Sequence, residues 1–320
     1  MCLQVFQRIR VSREVRLIAF IRESDDPAGV LISTNIGRYR PAIHLREALD
    51  MPAVLRLLII CTLFVCNVTF GADRSASIEA PSVVLITGSN RGIGLALAKA
   101  YAKAGWRVIA TCRDPSRAAE LNALAARNAS VIVEALDVTS SPSIEALVAK
   151  YRGKPIDVLV NNAGTSGNYH GQLPGHFDEA TFQQIMQVNA FAPLRVSSAL
   201  LDNVSASRQK KIIAISSGRG SVSKPFFDHR AYFYDMSKSA LNLGMRKFQN
   251  DVADRGVLVG IFAPGVVDTE LNHDLRNGVP AQRALISTEQ SATGLVALIA
   301  NLSAGNQHRF LNYDAQAFEW

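Results

Sequence analysis

The sequence predicts an α/β fold: a single domain built on a doubly wound parallel sheet, with an N-terminal extension ahead of it. Three observations carry this reading. From Ser82 onward, short unbroken apolar runs such as "SVVLITG" and "VLVGIFAPG" alternate with longer segments of helical periodicity. A strand covered on both faces has no polar side, so it reads as a continuous apolar run. The first run ends in a glycine-rich turn that opens directly into a helix, and no repeat or low-complexity linker interrupts the alternation to the C-terminus.

Composition narrows the classes further. At 320 residues and 48% hydrophobic content, the chain has ample material for a packed core. The net charge of +7 is spread along the chain without Lys/Arg runs or interleaved aromatics. That argues against a nucleic-acid surface and suits solubility or a small polyanionic ligand. Of the cysteines, Cys2, Cys61 and Cys66 precede the main body and only Cys112 lies within it, so no disulfide framework is expected there. Neither the cysteines nor the six histidines have metal-site spacing.

The first 80 residues differ in kind. Every basic residue before Lys99 is arginine, and residues 1–50 show no sustained periodicity. Residues 51–72, "MPAVLRLLIICTLFVCNVTFGA", carry an apolar run short for a membrane span but suited to a signal-peptide core. Thr69 and Gly71 are small enough to flank a cleavage site. The expectation is that translation starts at Met51, with residues 1–50 an upstream over-extension; the alternative is a membrane-associating or buried helix over residues 57–70.

The globular part begins with the strand "SVVLITG", then the turn Gly88, Ser89, Arg91, Gly92, Ile93, Gly94 and a helix with Ile93, Leu97 and Tyr101 on one stripe. Strand, glycine turn and helix N-terminus together suit a pyrophosphate: the glycines admit it to backbone N–H groups, and the helix end supplies partial positive charge. The spacing is GxxxGxG, not the commoner GxGxxG, and alone would also fit a structural turn. A second strand, Arg107 to Cys112, leads into Arg113, Asp114 and Pro115. Asp114 could hold a ribose hydroxyl, but Asp-Pro before a helix reads better as an N-cap. With no carboxylate at the strand tip, Arg91 and Arg113 favour an adenosine 2′-phosphate, and so NADP over NAD. The alternation continues through "SVIVEALDV", "SIEALVAKY", "IDVLVNNAG", one long helix "DEATFQQIMQVNAFAPLRVSSALL", "KKIIAISS", a helix containing "AYFYDMSKSAL", and "VLVGIFAPG". The domain expected is a Rossmann-type unit over residues 82–320.

The motifs "TGSNRGIG", "LDV", "NNAG", "VNA", "ISS", "YDMSK" and "PGVVDTE" follow in the order and approximate spacing of the short-chain dehydrogenases/reductases, which the chain resembles over roughly residues 82–320. Within that family it is most similar to the C-factor and sniffer-like carbonyl reductases, on "ITGSNRGIGLALA", "VIATCRDP", the long serine-to-tyrosine stretch and the tail "RFLNYDAQAFEW". It departs from them at Phe318 and Glu319, where small residues or proline are expected, and in its N-terminal extension.

Reduction of a carbonyl needs a proton donor and hydrogen bonds where the alkoxide develops. Tyr234 and Lys238 are four residues apart and share a helix face; Tyr232 has Met236 at that spacing. The resemblance implies Tyr234 as general acid/base, with Lys238 lowering its pKa and binding the nicotinamide ribose. It implies Ser217, in preference to Ser216, as the hydrogen-bond partner of the substrate oxygen, and Asn189 as the holder of a water in a proton relay. Asp137 and Val138 are expected beside the adenine. Asn161 and Asn162 would bridge strands, while Ala163 and Gly164 admit the cofactor. Pro264, Gly265, Val267 and Thr269 would meet the carboxamide and pyrophosphate. Singly, each of these residues fits ordinary surface, turn or packing chemistry.

The implied activity is NADPH-dependent reduction of a ketone, aldehyde or quinone. The alternative is a cofactor-binding signalling or regulatory protein with little turnover; a sugar-nucleotide epimerase is disfavoured by the short C-terminal region. Substrate walls are expected from "TSGNYHGQLPGHF", "GRGSVSKPFFDHR" and residues 270–285, with Phe226, Phe227 and Tyr232 either lining the pocket or packing. The partner expected is a small carbonyl compound, with no nucleic acid, and a homo-oligomer fits the sequence equally well. A functional N-terminal segment implies secretion, an endomembrane lumen or a membrane anchor; without it the protein is cytoplasmic.

Overall fold

The computed structural model describes residues 80–223, 231–276 and 284–320. The N-terminal expectations, over residues 1–50, 51–72 and 57–70, lie outside the described residues, as do Phe226 and Phe227. Residues Ala80–Trp320 form one compact unit.

The elements follow the apolar runs. Strand β1 (Val83–Ile86) leads through the glycine turn into α1 (Gly92–Lys103), then β2 (Arg107–Cys112), α2 (Ala119–Arg127), β3 (Val131–Ala135), α3 (Ser141–Lys150) and β4 (Val158–Asn161). The second half comprises α4 (Glu179–Met186), α5 (Ala192–Ala199), α6 (Leu201–Ser205), β5 (Lys211–Ile215), α7 (Tyr232–Asp251) and β6 (Leu258–Ala263). It closes with α8 (Glu270–Arg276), α9 (Thr288–Ala300), β7 (Phe310–Asn312) and β8 (Ala317–Phe318). The sheet order is β3-β2-β1-β4-β5-β6-β7-β8, parallel except for the antiparallel β8. The strand order reverses direction between β1 and β4, which is where open α/β sheets bind ligands.

Period-two alternation divides the core between the two faces of the sheet. Val84 and Ile86 of β1 join one apolar cluster with Leu97, Tyr101, Phe262 and Leu295, whereas Leu85 between them joins the other with Ile109, Leu159, Ile212 and Met245. Both faces are covered, which accounts for the unbroken apolar runs.

Two features differ from expectation. The single long helix predicted over 178–201 is interrupted by a π turn at Gln187–Phe191, between α4 and α5. The C-terminal tail adds a hairpin that folds back on the sheet: Phe310 stacks on Trp320 at 5.4 Å, and the Arg246 guanidinium lies 4.9 Å over the Trp320 ring. No helix among the described residues is long and apolar enough to cross a membrane.

Candidate active site

A cleft of about 1380 Å³ opens along the C-terminal ends of the strands. One wall is the glycine turn. Gly88 has φ +68°, and a Cβ there would stand 2.9 Å from Ala163 Cα; a Cβ on Gly94 would stand 2.2 Å from the Gly88 carbonyl oxygen. Only hydrogen fits at either place, so the turn lies close against the tip of β4. Helix α1 begins here with no acidic residue in its first turn and no side-chain cap from Arg91. Its first α-helical bond is Leu95 N–H to Arg91 O, so the N–H groups of Gly92, Ile93 and Gly94 precede the helical ladder. That end of the cleft is built to receive an anion. Arg91 and Arg113 line it, as do Lys99 and Arg117, two cations not singled out from sequence. Arg91 also pairs with Glu270 of α8.

Asp114 takes the capping role: its carboxylate accepts from Ser116 N–H at 3.0 Å and from Ser116 Oγ at 2.6 Å, and these bonds hold its pKa below the usual range. At the tip of β3, Asp137 and Val138 line the cleft. Burial pushes the Asp137 pKa up, but hydrogen bonds from Thr139 and the charges of Arg113 and Arg195 outweigh it and leave the carboxyl more acidic than usual.

Of the other expected cofactor residues, Ala163, Gly164, Pro264, Gly265, Val267 and Thr269 line the cleft, Gly265 at φ +87°. Two do not. Ser89 is buried beneath the turn, its hydroxyl donating to Ile86 O at 2.9 Å and its N–H to Thr111 O at 2.8 Å. Asn161 is the last residue of β4 and points to the helix layer, where it donates to Ser197 Oγ at 2.9 Å. Its neighbour Asn162 faces the cleft and donates to the Thr87 and Gly88 carbonyls.

The opposite wall carries Ser217, Tyr234 and Lys238. Ser217 follows β5, and its Oγ accepts from Arg219 N–H at 3.2 Å; Ser216 is committed to Asn242 Oδ1 at 2.6 Å. Tyr234 and Lys238 lie one turn apart on α7 and are both buried. Burial pushes the Tyr234 phenol up to about 12, opposed by a hydrogen bond with the Ser217 side chain. Burial also lowers Lys238 to about 8. The expected downward pull of Lys238 on Tyr234 does not dominate. The lysine Nζ donates to Ile215 O at 3.0 Å and sits 5.7 Å from the tyrosine ring centre.

Asn189 lies in the π turn, fully buried and off the cleft surface. Its Oδ1 accepts from Thr165 N–H, and its Nδ2 donates to Thr165 O and Ser237 Oγ, at 2.9, 2.9 and 3.0 Å. Both amide protons are therefore used within the protein. Ser237 passes the link on to Tyr234 O at 2.7 Å.

The cleft is also lined by Thr165 and Ser166, by Gly218 and Arg219, and by Leu271 and Leu275. Phe318 joins them: a Cβ on Gly218 would stand 2.9 Å from its ring. The departure noted in the tail thus lies next to Ser217. Tyr232 is not on the cleft and packs against Phe177 at 5.3 Å.

The doubly wound sheet, the anion-receiving glycine turn and a cleft wall with serine, tyrosine and lysine define a nucleotide-dependent oxidoreductase class. The chain belongs to the short chain dehydrogenase family, whose profile matches residues 82–280. Among solved structures it is similar to the NADPH-bound carbonyl reductase from chicken fatty liver: 29% identity, TM-score 0.68, covering 75% of this chain and 99% of that one. A carbonyl reductase from Pseudomonas aeruginosa PAO1 in complex with NADP is 30% identical with TM-score 0.65, covering 75% of this chain and all of that one. The C-signal of Myxococcus xanthus is 32% identical over 166 residues, 52% of this chain and 93% of that protein.

Proposed function

We propose that the protein reduces a ketone, aldehyde or quinone to the alcohol with NADPH as reductant. The observation that carries this is the meeting of Ser217, Tyr234 and Lys238 on one wall of a cleft whose other wall is the glycine turn. NADPH, when bound, supplies the hydride. Its phosphates would be held by the first-turn N–H groups of α1 and its 2′-phosphate by Arg91 and Arg113. Ser217 and Tyr234 hydrogen-bond the substrate oxygen, and Tyr234 gives its phenolic proton as charge develops there. Lys238 contributes a buried positive charge beside them. With both amide protons of Asn189 engaged by Thr165 O and Ser237 Oγ, its side chain keeps no donor for a water in a proton relay and instead braces the turn of α7 that carries Tyr234.

A phenol held near 12 is protonated throughout the physiological range, which suits a donor in reduction better than a base in alcohol oxidation. The limiting titration is then Lys238. Carbonyl reduction is expected to hold steady below pH about 8 and to decline above it as the lysine loses its charge. A pH profile of kcat that rises through that range contradicts this assignment.

The test of the function is NADPH oxidation by the full chain over a panel of aldehydes, ketones and quinones including menadione, with NADH in parallel. Turnover with a preference for NADPH supports the reading; no turnover on any compound removes it. A second reading, a cofactor-binding regulatory protein, draws on the similarity to the Myxococcus C-signal. It requires NADPH binding without turnover in the same assay.

A further inference from the structure

Among the described residues, helix α7 starts without a side-chain cap of its own. The residue before its first turn is Ala231, in the left-handed region at φ +57°, and alanine has no side chain to accept from the first-turn N–H groups. At that position Ser, Thr, Asp or Asn would normally accept from the second or third N–H of the helix. The third N–H here belongs to Tyr234. It donates instead to Oε1 of Gln172, 62 residues earlier, at 3.0 Å.

Gln172 is 1% exposed, and its amide is fully determined by its partners. Nε2 donates to Ser166 O at 2.8 Å and to Asn168 O at 3.3 Å, so the oxygen can only face the Tyr234 N–H. The backbone is fixed as well: Gln172 N–H donates to Tyr169 O at 3.1 Å, and Asp178 N–H to Gly171 O at 3.0 Å. The carbonyls that Gln172 holds belong to the loop after β4, whose Thr165 and Ser166 line the cleft.

We propose that Gln172 is a positioning residue for Tyr234: it supplies the missing cap and ties the loop after β4 to the helix turn that carries the phenol. This rests on Tyr234 being the proton donor. No side chain other than glutamine or asparagine combines an acceptor for one N–H with donors for two carbonyls, and asparagine is one methylene too short for the span glutamine bridges. Misplacement of a reacting group by about 1 Å costs on the order of a hundredfold in rate.

The experiment uses the full chain, NADPH and menadione, with Gln172→Met, Gln172→Glu and Tyr234→Phe. Gln172→Met is expected to lower kcat by about 10- to 100-fold, with the menadione KM and the NADPH Kd from fluorescence titration within about twofold. The solvent deuterium isotope effect on kcat should rise as proton transfer becomes limiting. Gln172→Glu can donate only when protonated, so its kcat should recover as pH falls. An unchanged kcat in both variants overturns the proposal. So does a parallel loss of kcat, KM and NADPH affinity with the isotope effect unmoved, which marks a general structural role. Full activity in Tyr234→Phe, or no wild-type turnover, fails the reductase reading separately. The cap itself is then read by amide hydrogen exchange over residues 231–238. Faster exchange in Gln172→Met is expected, and unchanged exchange overturns the capping role.

Discussion

Replacing Tyr234 by phenylalanine is expected to lower kcat for carbonyl reduction by about a thousandfold while leaving the fold and NADPH affinity close to wild type. The magnitude is that of a positioned general acid. The selectivity follows from the surroundings. The ring of Tyr234 is buried, and phenylalanine preserves that packing; only the hydroxyl and its hydrogen bond with Ser217 are lost. A desolvated phenol contributes little to stability, so thermal unfolding should shift by no more than a few degrees. Steady-state kinetics with fluorescence titration of NADPH checks both halves. A variant that retains a tenth or more of wild-type kcat would mean another group delivers the proton.

Replacing Gly94 by alanine is expected to damage fold and cofactor binding together. The added Cβ would lie 2.2 Å from the Gly88 carbonyl oxygen and 2.5 Å from Asn162 Nδ2, and the oxygen is backbone that has no rotamer to escape into. The glycine turn must then lift off α1, taking the first-turn N–H groups away from the phosphate position. A loss of about 3 kcal/mol in stability is expected, at the upper end for overpacking, with NADPH affinity reduced by more than about tenfold. Gly105→Ala is the control. Gly105 also has an unusual backbone, φ +79°, but nothing stands within 4 Å of its added Cβ. It should cost about 1 kcal/mol through backbone strain alone, with NADPH affinity unchanged. Chemical denaturation and fluorescence titration on the two variants separate contact from conformation.

The strands were readable because burial on both faces leaves an unmistakable apolar run, and the glycine turn because a close backbone approach permits no other residue at Gly88 and Gly94. The spacing of Tyr234 and Lys238 is a local helical property and is equally visible. What sequence could not resolve is direction at the strand ends. Asn161 and Asn162 are adjacent and identical, and only the pleat decides that the first meets Ser197 while the second meets the cleft. Ser216 and Ser217 pose the same problem to the residues alone; the family resemblance favours Ser217, and Asn242, 26 residues on, engages Ser216. Gln172 was invisible for a different reason. It replaces a local cap by a long-range one, and in sequence it is one glutamine in a polar loop; the absent cap at Ala231 was the available signal. A glycine-loop serine near phosphate-binding N–H groups reads as accessible, whereas the Ser89 hydroxyl turns inward to Ile86 O. The π turn at Gln187–Phe191 has one trace in sequence, Pro193 within the helix read over 178–201: proline has no N–H to donate to the Asn189 carbonyl, and α5 starts afresh around it.

The most direct test of carbonyl reduction by this chain is isotope transfer. NADPH carrying deuterium at the transferred position is incubated with the full-length protein and the carbonyl panel, and the alcohol products are analysed by mass spectrometry. One deuterium is expected on the carbinol carbon of at least one product with the wild type, and a rate lower by about a thousandfold with Tyr234→Phe. NADPH that binds in the cleft while no product alcohol in the panel acquires deuterium would contradict it.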